Sequence, residues 1–190
     1  MKLRSLTGLL SLSLLACAGP MLSSSDAHAL GKGKEHPELK TVDYVDLNRY
    51  LGRWYEISAF ELWFEKGCKG VTADYSLLDN GRIRVVNSCY QGSLDGKLKV
   101  ANGKARVVDT ETNAKLKVSF FWPFSGDYWI LELGANYEYA VVGSPDRETL
   151  WVLARAPTMA PSVYAGILDR MSAKAFDVSK LRLMEQKSEL

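Results

Sequence analysis

Val71-Thr72-Ala73-Asp74-Tyr75-Ser76-Leu77-Leu78-Asp79-Asn80-Gly81-Arg82-Ile83-Arg84-Val85-Val86-Asn87-Ser88-Cys89 decides the fold class. It holds two runs that alternate apolar and polar residues, the period of a strand with one buried face. Asp79-Asn80-Gly81 between them is a hairpin signal, because Asn-Gly accepts the positive φ of a tight turn. Val71, Ala73, Tyr75 and Leu77 share one face of the first run, and Thr72, Asp74 and Ser76 the other. On the second run Ile83, Val85, Asn87 and Cys89 lie opposite Arg82, Arg84 and Ser88.

The pattern repeats on both sides of this hairpin. Residues 53–61, 104–109, 115–121, 128–133, 137–143 and 149–155 read as further strands, eight in all. Gly96 and Asn102-Gly103 bound the 104–109 piece. The strands succeed one another without helices between them, which argues against a parallel α/β sheet. The expectation is an all-β chain: an eight-stranded antiparallel up-and-down β-barrel. Such a barrel closes its own edges and leaves room inside for one small ligand. One helix follows, with Thr158 as N-cap and Pro161 in its first turn. Val163, Tyr164, Ile167, Leu168 and Met171 make a one-sided stripe, so this C-terminal helix should pack on the barrel's outside. Residues 181–184 read as a short closing strand.

Alternation also assigns the lining. Tyr75, Ile83, Val85, Asn87, Leu116, Val118, Phe120, Tyr128, Ile130, Tyr139, Val141, Trp151 and Leu153 should point inward. The interior is then apolar and aromatic, with a few polar groups to orient a ligand. Phe120-Phe121-Trp122-Pro123-Phe124 carries a strand into a loop at the open end, and Trp63-Phe64 lies in the first long loop. These aromatics either form a lip that touches membrane or ligand, or tuck over the mouth.

Composition removes several classes. The 190 residues carry a formal net charge of +2 with no basic block, so nucleic acid is not an expected partner. Of the two histidines, His28 and His36, neither lies in the strand region. That speaks against a Ser/His/Asp triad or a histidine metal site, and no cofactor is expected.

The N-terminus reads as a targeting segment. Met1-Lys2-Leu3-Arg4 is basic, residues 6–18 are apolar but too short to span a bilayer, and Gly19-Pro20 breaks the run. Two processing routes stand side by side. Ala27-His28-Ala29 is a small-x-small cleavage signal, giving a signal peptide over 1–29. Leu14-Leu15-Ala16-Cys17 resembles a bacterial lipobox, giving a leader over 1–16 and an acylated Cys17. Residues 30–41 then form a flexible tether and 42–186 one domain. In an exported chain the remaining pair, Cys68 and Cys89, reads as a disulfide. Closing that loop would stabilise the fold by about 3 kcal/mol.

Leu51-Gly52-Arg53-Trp54-Tyr55-Glu56-Ile57 resembles the Gly-x-Trp signature of the lipocalin family, preceded by Asp46-Leu47-Asn48-Arg49-Tyr50. The 71–81 stretch resembles that family's second strand and hairpin. Residues 139–147 and 150–155 resemble its second and third conserved regions, and Phe176-Asp177-Val178-Ser179-Lys180-Leu181 its C-terminal segment. The chain is thus similar to the bacterial outer-membrane lipocalins, the plant temperature-induced lipocalins and apolipoprotein D. The resemblance implies a structural trio, in which Gly52 turns tightly, Trp54 plugs the closed end and Arg155 packs across its ring. It also implies a cavity that holds Tyr75, Asn87, Phe120 and Trp151.

The function expected is binding, storage or transport of fatty acids, lysophospholipids or similar amphiphiles for envelope maintenance, not catalysis. Membrane attachment would run through the anchor or the aromatic rim, and a homodimer is the self-assembly to test. Ala18 after Cys17 resembles an outer-membrane sorting signal, so the outer membrane or the periplasm is the expected location. Two alternatives remain open. Some relatives modify their ligands, and here Glu56 or Glu132 could face inward, or a reduced Cys68 or Cys89 act. A packed, ligand-free structural barrel shares every strand signal.

Overall fold

A computed structural model describes residues 36–187. The chain runs extended to a single helical turn, α1 (Leu47–Tyr50). The Asp46 side chain accepts hydrogen bonds from the backbone N–H groups of Asn48 and Arg49, which caps that turn. Strand β1 (Gly52–Phe60) follows, then β2 (Cys68–Leu77), β3 (Ile83–Gln91), β4 (Leu98–Val107), β5 (Lys115–Phe121), β6 (Phe124–Leu133), β7 (Tyr139–Gly143) and β8 (Leu150–Ala154). Each pairs antiparallel with the next, and β1 also pairs with β8. That last pairing closes the eight-stranded barrel. The hairpin forms as expected, with Tyr75 opposite Val85 and Ala73 opposite Asn87.

Helix α2 (Pro161–Ala173) lies after the barrel, and β9 (Leu181–Leu183) adds to the second half of β1. Strand β1 serves two neighbours in turn. Gly52–Tyr55 pairs with β2, while Ser58–Phe60 pairs with β9. Where β1 parts from β2, the C-terminal segment fills the gap. Gly70 N–H donates to the Glu185 carbonyl, and Met184 N–H to that of Ile57. The Gln186 amide donates to both Glu56 O (2.8 Å) and Val71 O (2.9 Å). Backbone groups that the parting strands would leave unpaired are thereby satisfied.

Two apolar clusters result. One fills the barrel interior around Trp54, Tyr75, Val85, Leu116 and Ile130. The other lies outside, where Ile167 and Met171 of α2 press on Leu131, Val141, Leu150 and Val152. The disulfide Cys68–Cys89 joins β2 to β3, and Val71 packs on it with Met184.

Several boundaries differ from expectation. Strand β4 starts at Leu98 rather than 104, because Asn102-Gly103 is strand, not turn. Gly103 sits opposite Val85, and a Cβ there would meet the Phe120 ring at 2.8 Å. The glycine makes room for an aromatic. Strand β6 starts at Phe124 rather than 128, since Ser125-Gly126-Asp127 hides its first turn of pleat. The α2 N-cap is Ala160, with no side-chain cap bond, and not Thr158. Of the stretch expected as a tether, only 36–41 is described. There Leu39 is buried, and the Arg147 guanidinium donates to the carbonyls of Pro37, Pro145 and Lys174. Packing therefore begins before residue 42. The cleavage and acylation readings at Ala29 and Cys17 fall outside the described residues.

Candidate functional site: the barrel interior

The closed end is built around Trp54, which is fully buried. Gly52 enters β1 at φ +91°, and a Cβ there would lie 3.5 Å from the Arg155 guanidinium. A side chain at that φ is strained, although the space beside the arginine would admit a Cβ in ordinary contact. Arg155 sits 3.8 Å from the centre of the Trp54 ring. Its guanidinium donates to the carbonyls of Arg53 (2.7 Å), Arg49 (2.6 Å) and Tyr50 (3.2 Å). Trp54 Nε1–H donates to Tyr50 O at 2.8 Å. The trio is thus a floor that ties α1, β1 and β8 together.

Above the floor three tyrosines meet. The Tyr128 hydroxyl bonds to those of Tyr50 (2.7 Å) and Tyr75 (3.0 Å). Burial pushes all three phenols up, Tyr75 to about 12. They are neutral at any ordinary pH and satisfy one another.

Around these tyrosines the wall is apolar: Ile83, Val85, Leu116, Ile130 and Leu153, with Ala105, Ala140 and Val142. Ala140 and Val142 correct the sequence reading of β7. Tyr139 and Val141 do not line the interior; they belong to the outer cluster beneath α2. The β6–β7 register shifts between Ile130 and Glu132, which breaks simple alternation. Strand β7 is also apolar on both faces, so its pattern carries no sign. Glu132 likewise faces out, accepting from the Tyr139 hydroxyl at 2.7 Å and from Arg170 of α2.

The upper part is different. Asn87, Val118, Phe120 and Trp151 point inward yet keep partial exposure, so neighbours do not fill the space around them. The Asn87 Oδ1 atom is buried with no partner among the described residues. Two carboxyls join them. Glu56 follows Trp54 on the inward face of β1, opposite Leu153, and is only 3% exposed. Burial raises its pKa well above the ordinary carboxyl range, and nearby Glu65 adds to the rise. Glu65, in the β1–β2 loop, is raised by burial to about 7, against a hydrogen bond from the Trp151 side chain and the pull of Lys99. Lys99 Nζ, at the start of β4, donates to Phe64 O at 3.0 Å. Strand β4 is three places round the barrel from β1, so this loop leans over the mouth. Sequence reading named Glu56 as a possible inward group and missed Glu65, whose place depends on how a loop folds back.

The aromatic loops stand outside this space. Trp63 is 84% exposed, Phe121 73%, Trp122 92% and Phe124 77%. The β1–β2 and β5–β6 turns both lie at the end of the barrel opposite Trp54, so these rings form a rim around the mouth.

Three comparisons place this geometry among known proteins. Residues 45–186 match the family model of the lipocalin-like domain. Outer membrane lipoprotein Blc of Escherichia coli K12 is 43% identical over 145 residues, covering 76% of this chain and 81% of that protein. Apolipoprotein D of Bos taurus is 32% identical over 185 residues, covering 92% and 94%. The structure of insecticyanin from the tobacco hornworm Manduca sexta matches with a TM-score of 0.65 at 22% identity, covering 81% of this chain and 87% of that one. At that identity the likeness is one of fold.

Proposed function

This chain belongs to the lipocalin family, whose barrels bind and carry small hydrophobic ligands, and from that premise we propose that it is an envelope carrier of single-chain lipids. Fatty acids, lysophospholipids and similar amphiphiles are its ligand class. One observation carries this reading: inward-facing Val118, Phe120, Tyr128 and Trp151 are apolar or aromatic and yet only partly covered. An acyl chain laid against them would bury that remaining surface at about 25 cal/mol per Å². The contact set is Tyr75, Ile83, Val85, Asn87, Leu116, Val118, Phe120, Tyr128, Ile130, Trp151 and Leu153.

Relatives named as outer-membrane lipoproteins support an exported chain at the outer membrane or in the periplasm. Acylation of Cys17 fits the first location and cleavage after Ala29 the second. The exposed rim of Trp63, Phe121, Trp122 and Phe124 supports transfer of lipid between bilayer and barrel, because aromatic rings partition to the membrane interface.

Native mass spectrometry of protein purified from its own membrane fraction tests the proposal. A lipid adduct that is lost on denaturation is the expected result. The denatured mass then tells an acylated chain starting at Cys17 from a plain one starting at Leu30. Repeated ligand-free protein that also takes up no fluorescent fatty acid would leave a packed structural barrel.

A further inference from the structure

The mouth holds more hydrogen-bond acceptors than the chain itself uses. Glu56 is buried and faces inward, and although its backbone carbonyl accepts from Gln186, its carboxyl has no hydrogen-bond or ion-pair partner among the described residues. Asn87 Oδ1 is buried and equally without one. Glu65 has a single interior donor, the Trp151 side chain. Deeper polar groups cannot help, because the three tyrosine hydroxyls bond to one another. A carboxyl largely withdrawn from water without a partner and an orphaned amide oxygen are each costly to the empty barrel. Cost of this kind at a functional surface points to a ligand that repays it.

We propose that Glu56, Glu65 and the Asn87 amide oxygen form a head-group subsite that takes the ammonium end of a single-chain amphiphile. This rests on the carrier reading above and names the head group that the carrier selects. An ammonium offers three N–H donors and a positive charge, and here it meets three acceptors of which two can be anionic. Its alkyl chain then runs down past Val118, Phe120 and Val85 towards the tyrosines. An anionic head group faces the same carboxyls and binds more weakly, held mainly by its chain.

Charge around the subsite favours this sign. On β1 the group is Glu56; on the loop over the mouth it is Glu65. Strand β4 brings Lys99 near Glu65 from the exposed side, held to Phe64 O. Strand β2 brings Tyr75, which feels both carboxyls; β3 brings neutral Asn87; β8 brings Trp151. From β5, β6 and β7 the only titratable interior group is Tyr128. Burial lets both carboxyls keep protons to higher pH than an ordinary carboxyl, Glu65 up to about 7, so ammonium binding near neutral pH expels protons as it ionises them.

The test is displacement of the neutral probe N-phenyl-1-naphthylamine by dodecylammonium, dodecanol and dodecanoate at about pH 8. Expected is an ammonium affinity at least about tenfold above that of the alcohol, with dodecanoate weakest. A single-chain phosphoethanolamine ester, run alongside, tells a zwitterionic lipid head group from a free amine as the source of the ammonium. Binding heats in buffers of different ionisation enthalpy should show proton release. In Glu65→Gln and Glu56→Gln the ammonium-to-alcohol ratio should fall towards one, and in the wild type it should shrink towards about pH 5. Dodecanol binding as well as the amine, or a preference that survives in both variants, overturns the subsite and leaves the carrier. Failure of the probe and of every chain to bind overturns both.

Discussion

Trp54 and Arg155 show how much one residue can hold. Trp54 is fully buried in the floor, so Trp54→Ala should cost about 3–5 kcal/mol in urea unfolding. Arg155→Lys keeps the charge but loses the flat stack and most of the three carbonyl bonds. A loss of about 1–3 kcal/mol is expected by the same measurement. Glu65 predicts a pH effect. Its proton is held to about 7 in the folded chain against 4.5 ordinarily, so between those values the folded state binds more protons. Stability therefore falls as pH rises from about 4.5 through about 7, and Glu56 adds in the same direction. Glu65→Gln should match the wild type near pH 4 and exceed it by up to about 3 kcal/mol near pH 8.

Among the elements, the face of each strand decides what a substitution does. Val141 and Met171 lie outside the barrel in the same cluster. Met171→Ala should destabilise by about 2–5 kcal/mol while leaving ligand affinity unchanged, as a melt and a ligand titration would show together. The C-terminal segment has its own prediction. Gln186→Ala strips a donor from Glu56 O and Val71 O where β1 parts from β2. About 1–3 kcal/mol should be lost, with faster hydrogen exchange at Met184 and Gly70. Legibility in the sequence follows the same division. The run 71–77 reveals Ala73 and Tyr75 but not that Val71 packs on the disulfide and Leu77 is exposed, while 115–120 reveals both its strand and its inward residues. Strand β7 does not, because α2 buries its outer face. Asn102-Gly103 misleads because a glycine that admits Phe120 looks like a turn. Glu65 is invisible because a loop's fold-back leaves no period.

At the scale of the whole molecule, the barrel is plugged at one end and rimmed with aromatics at the other. A plugged floor and a partly uncovered upper interior give one way in, past the rim and the Glu65 loop. Trp122 is almost fully exposed, so it should blue-shift and be quenched when the protein meets vesicles carrying brominated acyl chains. Trp54, at the opposite end, should not respond; Trp122→Ser should reduce the signal and Trp122→Ser with Trp63→Ser should remove most of it.

The most direct measurement is a fluorescence titration of the barrel with N-phenyl-1-naphthylamine, in the wild type and in Val118→Trp. Val118 sits opposite Ala105 on the inward face, so the larger ring would occupy the upper interior. Saturation at one probe per chain in the wild type, abolished in a folded Val118→Trp, is the predicted result. No saturable binding in the wild type, or equal binding in the blocked variant, would contradict a ligand held inside the barrel.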